Sequence, residues 1–83
     1  MANKSRDRER EVMRSLLRKL RLEKGYTQVD LSDALSKHQS YVSKYENGER
    51  KLDYVELRAV CLVLGTSMEE FNEQYEGILS DKR

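Results

Sequence analysis

Apolar side chains recur at helical spacing in five segments of the chain, and each segment is bounded by residues that start or stop helices. The first segment predicts a helix from about Arg8 to Glu23, which Gly25 would end. Because its apolar residues fall on one side of a helix, we expect that side to be buried. These residues are Val12, Met13, Leu16, Leu17 and Leu20.

The second segment begins with the sequence TQVD, in which Thr27 precedes Asp30 by three residues. This is a variant of the capping box, in which the two side chains and the two backbone amides satisfy one another. We therefore predict a short second helix that Thr27 caps and that runs through Leu35. Its residues available for burial are Val29, Leu31 and Leu35.

The third segment lies in the stretch SKHQSYVSKYENGER, residues 36–50. It predicts a helix from roughly Gln39 to Asn47, which Gly48 would end because glycine tolerates a positive φ. At about 100° per residue, Val42 and Tyr45 fall on one side of this helix. The opposite side carries Ser40, Ser43, Lys44 and Asn47, with Tyr41 expected at the edge beside Lys44.

Two further helices follow from capping signals. Asp53 or a near neighbour would cap a fourth helix that runs through Leu64 and is closed by Gly65. Ser67 and Glu70 have the S-x-x-E spacing of a capping box, which predicts a fifth helix to about residue 79.

The composition agrees with these elements, since the 83 residues include no proline and only four glycines. Such a chain favours helices joined by short turns and is large enough for one modest core. We predict an all-α fold, a compact five-helix bundle whose single domain spans residues 10–79. Residues 1–9 would form a flexible or frayed arm and residues 80–83 a disordered tail.

The net charge of +1 conceals a division along the chain. Residues 1–51 hold 13 Lys or Arg against 8 Asp or Glu, a net of +5, whereas residues 52–83 hold 3 against 7, a net of −4. The N-terminal part is therefore the electropositive end, the side where a polyanion would bind.

The single cysteine and the length of the apolar runs indicate the state of the thiol and the location of the protein. The one cysteine, Cys61, has no intramolecular partner and lies in the apolar stretch VCLVL, so we expect a buried thiol. No apolar run suits a membrane span or a secretory signal, which predicts a cytoplasmic protein, associated with the nucleoid if bacterial.

The second and third predicted helices are separated by three or four residues, the arrangement of a helix-turn-helix unit. The outer face of the third helix lacks acidic side chains and carries hydroxyls, amides and one lysine. Such a face can approach the edge of a DNA base without charge repulsion and offers both donors and acceptors. The alternative interpretation is an ordinary solvated face.

Residues 17–71 resemble the phage repressor and Cro type of helix-turn-helix domain, the Xre family. The resemblance rests on the "LR…R…KG…TQ" entry, the spacing of Leu31 and Leu35, the stretch QSYVSKYENGER and the "LG.S..EF" close. The fold that this family implies, a lambda-repressor-like bundle of five helices, agrees with the five helices predicted from the residues.

The resemblance also implies roles for individual residues. Bases in the major groove would be contacted by the recognition helix, and an ion pair would hold that helix against the first one. The implied base contacts are Gln39, Ser40, Ser43 and Lys44, the phosphate contacts Gln28, Tyr41, Asn47, Arg50 and Lys51, and the ion pair Arg21 and Glu46. Glutamine suits adenine and lysine suits guanine, so Gln39 and Lys44 would discriminate most.

The turn between the second and third helices departs from the family, which usually has Gly, an apolar residue and Ser or Thr at the positions of Ser36, Lys37 and His38. Ser36 and Gln39 have S-x-x-Q spacing, so Ser36 is one candidate cap of the third helix. His38, at the family's cap position, is the other, and it could instead contact phosphate or solvent. Lys37 fits a buried turn only if its stem reaches solvent.

Family members commonly dimerise through the C-terminal helices, so the resemblance implies a homodimer on an operator with two half-sites, about 10–10.5 base pairs apart. The alternative is that these apolar residues are core and ordinary surface. The interface residues implied are Leu62, Met68, Phe71, Tyr75 and Ile78.

The sequence as a whole predicts a double-stranded DNA-binding transcriptional regulator that acts as a repressor. No catalytic constellation, metal-ligand cluster or phosphate loop can be drawn, so we expect no enzyme, no cofactor, no small-molecule ligand and no membrane partner. The alternative is a protein-interaction or antitoxin-type module in which DNA binding is secondary. Such a module would not need the acid-free face of the third helix.

Overall fold

The computed structural model describes residues 4–81, and within them every regular element is a helix. The predicted all-α fold of five helices is confirmed. The helices are α1 (Lys4–Lys24), α2 (Gln28–Ala34), α3 (Tyr41–Glu46), α4 (Tyr54–Val63) and α5 (Met68–Ser80).

Three of the helices begin with the same device, a reciprocal capping box. In each box the N-cap side chain accepts from the backbone amide three residues later, and that residue's carboxylate accepts from the N-cap amide. The boxes of α2 and α5 were predicted from their spacing, whereas for α4 only a cap at Asp53 or a near neighbour was predicted. The pairs are Thr27 with Asp30, Asp53 with Glu56, and Ser67 with Glu70.

Helix α1 begins at Lys4, earlier than the predicted Arg8. The part of the predicted frayed arm that is described is therefore helical. An ion pair between Asp7 and Arg10, 3.6 Å long, lies along this turn, and the Tyr75 hydroxyl donates to the Glu9 carbonyl over 3.2 Å. The second contact ties the start of α1 to α5. Residues 1–3 of the predicted arm, and residues 82 and 83 of the predicted tail, lie outside the described residues.

The core collects one side of every helix. It buries Val42, Tyr45 and Cys61, as predicted, and burial raises the pKa of the Cys61 thiol to about 11. Val29, which was predicted to be available for burial, instead lies at the surface. The remaining buried hydrophobic residues are Leu16, Leu17, Leu31, Tyr41, Val60, Leu64 and Phe71.

Candidate nucleic-acid interface

The turn between α2 and α3 begins at Ser36, the one non-glycine with a positive φ (59°) among the described residues. Its amide donates to the Asp33 carbonyl over 2.9 Å, and the Lys37 amide donates to the Ser32 carbonyl over 2.9 Å. These two hydrogen bonds form a Schellman motif, with Ser36 at the left-handed position that glycine usually occupies. The hypothesis that Ser36 caps α3 is therefore wrong, because Ser36 closes α2.

Helix α3 starts at Tyr41, two residues later than predicted, and His38 organises the turn before it. The Nδ1 atom of His38 accepts from the Ser40 amide over 3.1 Å, and the His38 carbonyl accepts from the Tyr41 amide over 2.9 Å. Ser40 itself makes no side-chain capping bond. Of the two candidate caps, His38 is the residue whose side chain binds the free backbone amide. The imidazole nitrogen of His38 therefore accepts a backbone hydrogen bond of the kind that a Ser or Thr oxygen accepts at a helix N-terminus.

A buried hydrogen-bond network fixes α3 against α1 and α2. The Arg21 guanidinium contacts the Glu46 carboxylate at 2.7 and 3.1 Å, and both side chains are only 6% exposed. Arg21 also donates to the Tyr26 carbonyl over 2.9 Å, and the Gln28 amide donates to Glu46 over 2.9 Å. The implied ion pair of Arg21 and Glu46 is therefore present, and Gln28 donates an additional hydrogen bond to its carboxylate. The amide nitrogen of Gln28 has a second hydrogen, and no bond from it is found within residues 4–81.

The face predicted to read DNA lies partly on α3 and partly on the turn before it. Gln39 and Lys44 are exposed, whereas Ser40 and Ser43 are half-buried. The Ser43 hydroxyl donates to the Ser40 carbonyl over 3.2 Å, so this donor is already used within the protein. Glu46, the acidic residue of α3, is held by Arg21 and leaves the outer face without a carboxylate.

The segment after α3 turns at Gly48, whose φ is +88°. Asn47 accepts from the Glu49 amide over 2.9 Å, which fixes this turn. Arg50 forms an ion pair with Glu56, the capping-box residue of α4, while Lys51 is exposed and has no ion pair within residues 4–81. All three predicted phosphate contacts of this segment therefore lie at the surface, and the charge of Arg50 is partly compensated.

Tyr41 was predicted at the edge of the helix, and this placement is wrong. Its side chain is buried at 9% exposure, with its ring edge-to-face against Tyr45 at a centroid distance of 5.7 Å. The reason is that Tyr41 and Tyr45 are four residues apart and so lie on the same side of the helix, and Tyr45 is in the core.

The Lys37 ammonium and the Arg50 guanidinium both lie over the Tyr41 ring, at 5.5 and 5.2 Å from its centroid. Lys37 therefore fits the turn because its head remains in solvent while it contacts an aromatic face.

The residues predicted to form a dimer interface do not share one environment. Phe71 is a core residue, 3% exposed, so its assignment to an interface is wrong. Tyr75 is half-buried and stacks on Phe71, with ring centroids 6.3 Å apart. Met68 is also half-buried, and the exposed members of the set are Leu62 and Ile78. Phe71 begins the second turn of α5, which packs on α1 and α4.

Sequence reasoning missed the contacts that gather cations around the end of α3. The Arg14 guanidinium packs against Gly48, where a Cβ atom would lie 3.4 Å from the guanidinium carbon. A signal for this contact exists in the sequence, because Arg10 and Arg14 are in helical register with Leu17 and Arg21, which are both buried. The ion pair of Arg50 with Glu56 had a weaker signal, the capping box that turns Glu56 back towards the loop.

Within residues 4–81 no three His, Cys, Asp or Glu residues are grouped as a metal site would need. No helix there has the length and apolar character required to cross a membrane.

The family comparison agrees with this geometry. A family model described as a helix-turn-helix matches residues 17–71, which is more than half of the chain. The chain belongs to this helix-turn-helix family, of the Cro/C1 and Xre-like type, whose members are DNA-binding regulators of transcription. The search of curated proteins found no match.

Proposed function

We propose that this protein is a sequence-specific regulator that binds double-stranded DNA as a dimer, inserts α3 into the major groove and acts as a repressor. The observation that carries the proposal is the exposed, acid-free face of α3, which is held in place by the buried contacts of Arg21, Gln28 and Glu46. The helix and the turn before it together present amide, hydroxyl and ammonium groups, which suit the donors and acceptors of base edges.

The proposed contacts divide into two classes. Gln39, Ser40, Ser43 and Lys44 would contact bases, with Gln39 and Lys44 most discriminating because they are the exposed members. Phosphates would be contacted by Gln28 at the start of α2 and by the segment after α3, whose residues are Asn47, Arg50 and Lys51. Tyr41 could contribute only through its hydroxyl, since its ring is buried.

Repression is proposed on steric grounds, because a dimer on two neighbouring half-sites would occupy DNA that polymerase needs. The half-sites would lie about 10–10.5 base pairs apart if the recognition helices are related by a two-fold axis. We place this activity in the cytoplasm, on the nucleoid if the cell is bacterial. The dimer would form through the exposed apolar residues of α4 and α5, Leu62 and Ile78, with Met68 and Tyr75 at its margin.

The experiment is selection of bound duplexes from random DNA, followed by titration of variants on the selected site. Lys44→Ala or Gln39→Ala should weaken the selected site by about 1–3 kcal/mol and leave random duplexes nearly unaffected. Arg50→Ala should weaken all duplexes similarly and lower the salt dependence of binding. If both kinds of variant bind every duplex as the unmodified protein does, α3 does not read the groove.

A second candidate function is favoured by one face of α4. Tyr54, Val55 and Leu62 are 66, 75 and 56% exposed, an unusual concentration of apolar surface on a helix of ten residues. This face would suit a protein-interaction or antitoxin-type module with an apolar partner. Under that alternative, selection would recover no preferred DNA sequence, and the variants of α3 would be silent.

A further inference from the structure

A cleft of about 340 Å³ lies between the N-terminal half of α1 and residues 48–52, which follow α3. Its charged lining residues are all cations: Arg10 and Arg14 from α1, and Arg50 and Lys51 from the segment after α3. None of its eight lining residues is acidic. The cleft therefore concentrates positive charge from two parts of the chain that are far apart in sequence.

The four cations are unequally compensated by carboxylates. Arg10 forms an exposed pair with Asp7 at 3.6 Å, and Arg50 pairs with Glu56. Arg14 and Lys51 have no ion pair within residues 4–81. Two uncompensated cations at one cleft repel each other, and a bound anion would relieve that repulsion.

The position of Arg14 depends on the backbone at the end of α3. The Arg14 guanidinium packs against Gly48, which has a positive φ. Because Gly48 has no Cβ atom, the guanidinium can approach its backbone closely. Half-buried Arg14 is thus set beside the turn that also leads to Arg50 and Lys51. The cation is held in place by packing, which lowers the entropy lost when it binds a ligand.

The rest of the cleft includes a polar group that the protein leaves unused. Tyr45 lines the cleft, and its hydroxyl is buried without a hydrogen-bond partner within the described residues. Burial raises the pKa of Tyr45 far above its ordinary value, so the hydroxyl keeps its proton and remains a donor. The hydroxyl is fully enclosed, so the groups that the cleft offers to a ligand are its cations, and a lining whose charges are all positive suits an oxyanion.

We propose that this cleft binds a phosphate group of the DNA backbone. This phosphate would lie next to those that α2 and the segment after α3 are proposed to contact. The inference rests on the proposed function and adds the N-terminal half of α1 to the DNA footprint. DNA is favoured over a free phosphate because Arg50 and Lys51 belong to the segment already proposed to contact the backbone. DNA presents phosphates in series, so cations on both sides of the cleft can each be neutralised.

The test compares two double variants that remove equal charge from the same helix. Arg10→Gln with Arg14→Gln removes the α1 side of the cleft. The control, Arg8→Gln with Lys19→Gln, alters residues that line the groove between α1 and α5 instead. Binding to a 30-base-pair duplex is measured from low to moderate salt, and thermal unfolding of each variant is followed by circular dichroism to verify folding.

We expect the cleft variant to reduce the slope of log Kobs against log[salt] by about 1–2, since each neutralised phosphate contributes about 0.9. The control should change it by less than about 0.5, and the lysine variant R10K/R14K should restore the slope. The single variant R10Q changes an exposed side chain, so it keeps the test valid if the double variant does not fold.

The results that would contradict the proposed function differ from those that would contradict only the phosphate site in the cleft. If the unmodified protein binds no duplex, the proposed function fails and this inference fails with it. If that protein binds but the cleft and control variants have equal slopes, only this inference fails. A second experiment adds inorganic phosphate at constant ionic strength and measures the melting temperature. If phosphate raises the melting temperature of the unmodified protein but not that of R10Q/R14Q, and the salt slopes of the cleft and control variants are equal, the cleft binds free phosphate. That result would overturn the DNA assignment.

Discussion

Ser36 holds a backbone conformation that L-residues other than glycine rarely adopt, with a φ of 59°. The left-handed region costs such a residue roughly 1–2 kcal/mol, because its Cβ approaches the neighbouring carbonyl. The cost is tolerated because the two hydrogen bonds of the Schellman motif close α2 at this residue. The sequence hypothesis assigned the same serine to the next helix, where its loss would have removed a cap.

Replacement of Ser36 by glycine should therefore stabilise the protein. We expect a net gain of about 0.5–1 kcal/mol, since relief of the strained φ exceeds the greater unfolded-state entropy of glycine. Urea unfolding followed by circular dichroism measures the change. The reverse substitution at Gly25 is the matched control, because its φ is +83° and open space surrounds it, so Gly25→Ser should destabilise. A less stable Ser36→Gly protein would restore the capping hypothesis.

At the scale of the helices, the position of α3 depends on the buried pair of Arg21 and Glu46. Both side chains are almost fully enclosed, and the carboxylate also accepts from Gln28. A buried pair adds little stability relative to a well-packed apolar pair, but loss of one partner leaves an uncompensated buried charge. The pair therefore fixes the orientation of the recognition helix more than it raises the free energy of unfolding.

Glu46→Gln should lower the free energy of unfolding by about 3–5 kcal/mol, because Arg21 would stay buried without its counter-ion. Arg21→Met combined with Glu46→Leu should recover most of that loss. Guanidinium unfolding of the single and double variants gives the coupling between the two residues. Lys19→Gln serves as the control, since its exposed pair with Glu23 is worth about 0.5 kcal/mol or less. If Glu46→Gln and Lys19→Gln lower the free energy of unfolding equally, the buried pair does not hold α3 in place.

On the scale of the whole molecule, charge and apolar surface are divided between different regions. The cations of α1 and of the segment after α3 line one cleft, whereas α5 carries acidic residues in its first turn. Exposed apolar residues instead concentrate on α4. This division would let one surface face DNA while another meets a second copy.

Leu62→Glu should convert the proposed dimer to a monomer, because a carboxylate in an apolar two-fold interface would be brought near its symmetry mate. Sedimentation velocity at micromolar concentration distinguishes the two states, and affinity for an operator with two half-sites should fall at least about tenfold. Leu22→Glu is the control for oligomeric state, since Leu22 is equally exposed, at 52%, on α1. If the unmodified protein sediments as a monomer, or Leu62→Glu as a dimer, this interface is wrong.

The sequence by itself determined the number of helices, the capping boxes of α2 and α5 and the inward placement of Val42 and Tyr45, because these depend on spacing between residues close in the chain. The family pattern added the pairing of Arg21 with Glu46. The tertiary structure decided which residue closes α2, why His38 contacts the turn and that Tyr41 and Phe71 are buried. It also decided that Arg14 meets Gly48. The closure of α2 depends on a backbone angle, and the burial of Phe71 and the position of Arg14 depend on residues distant in the chain; neither is encoded in local periodicity.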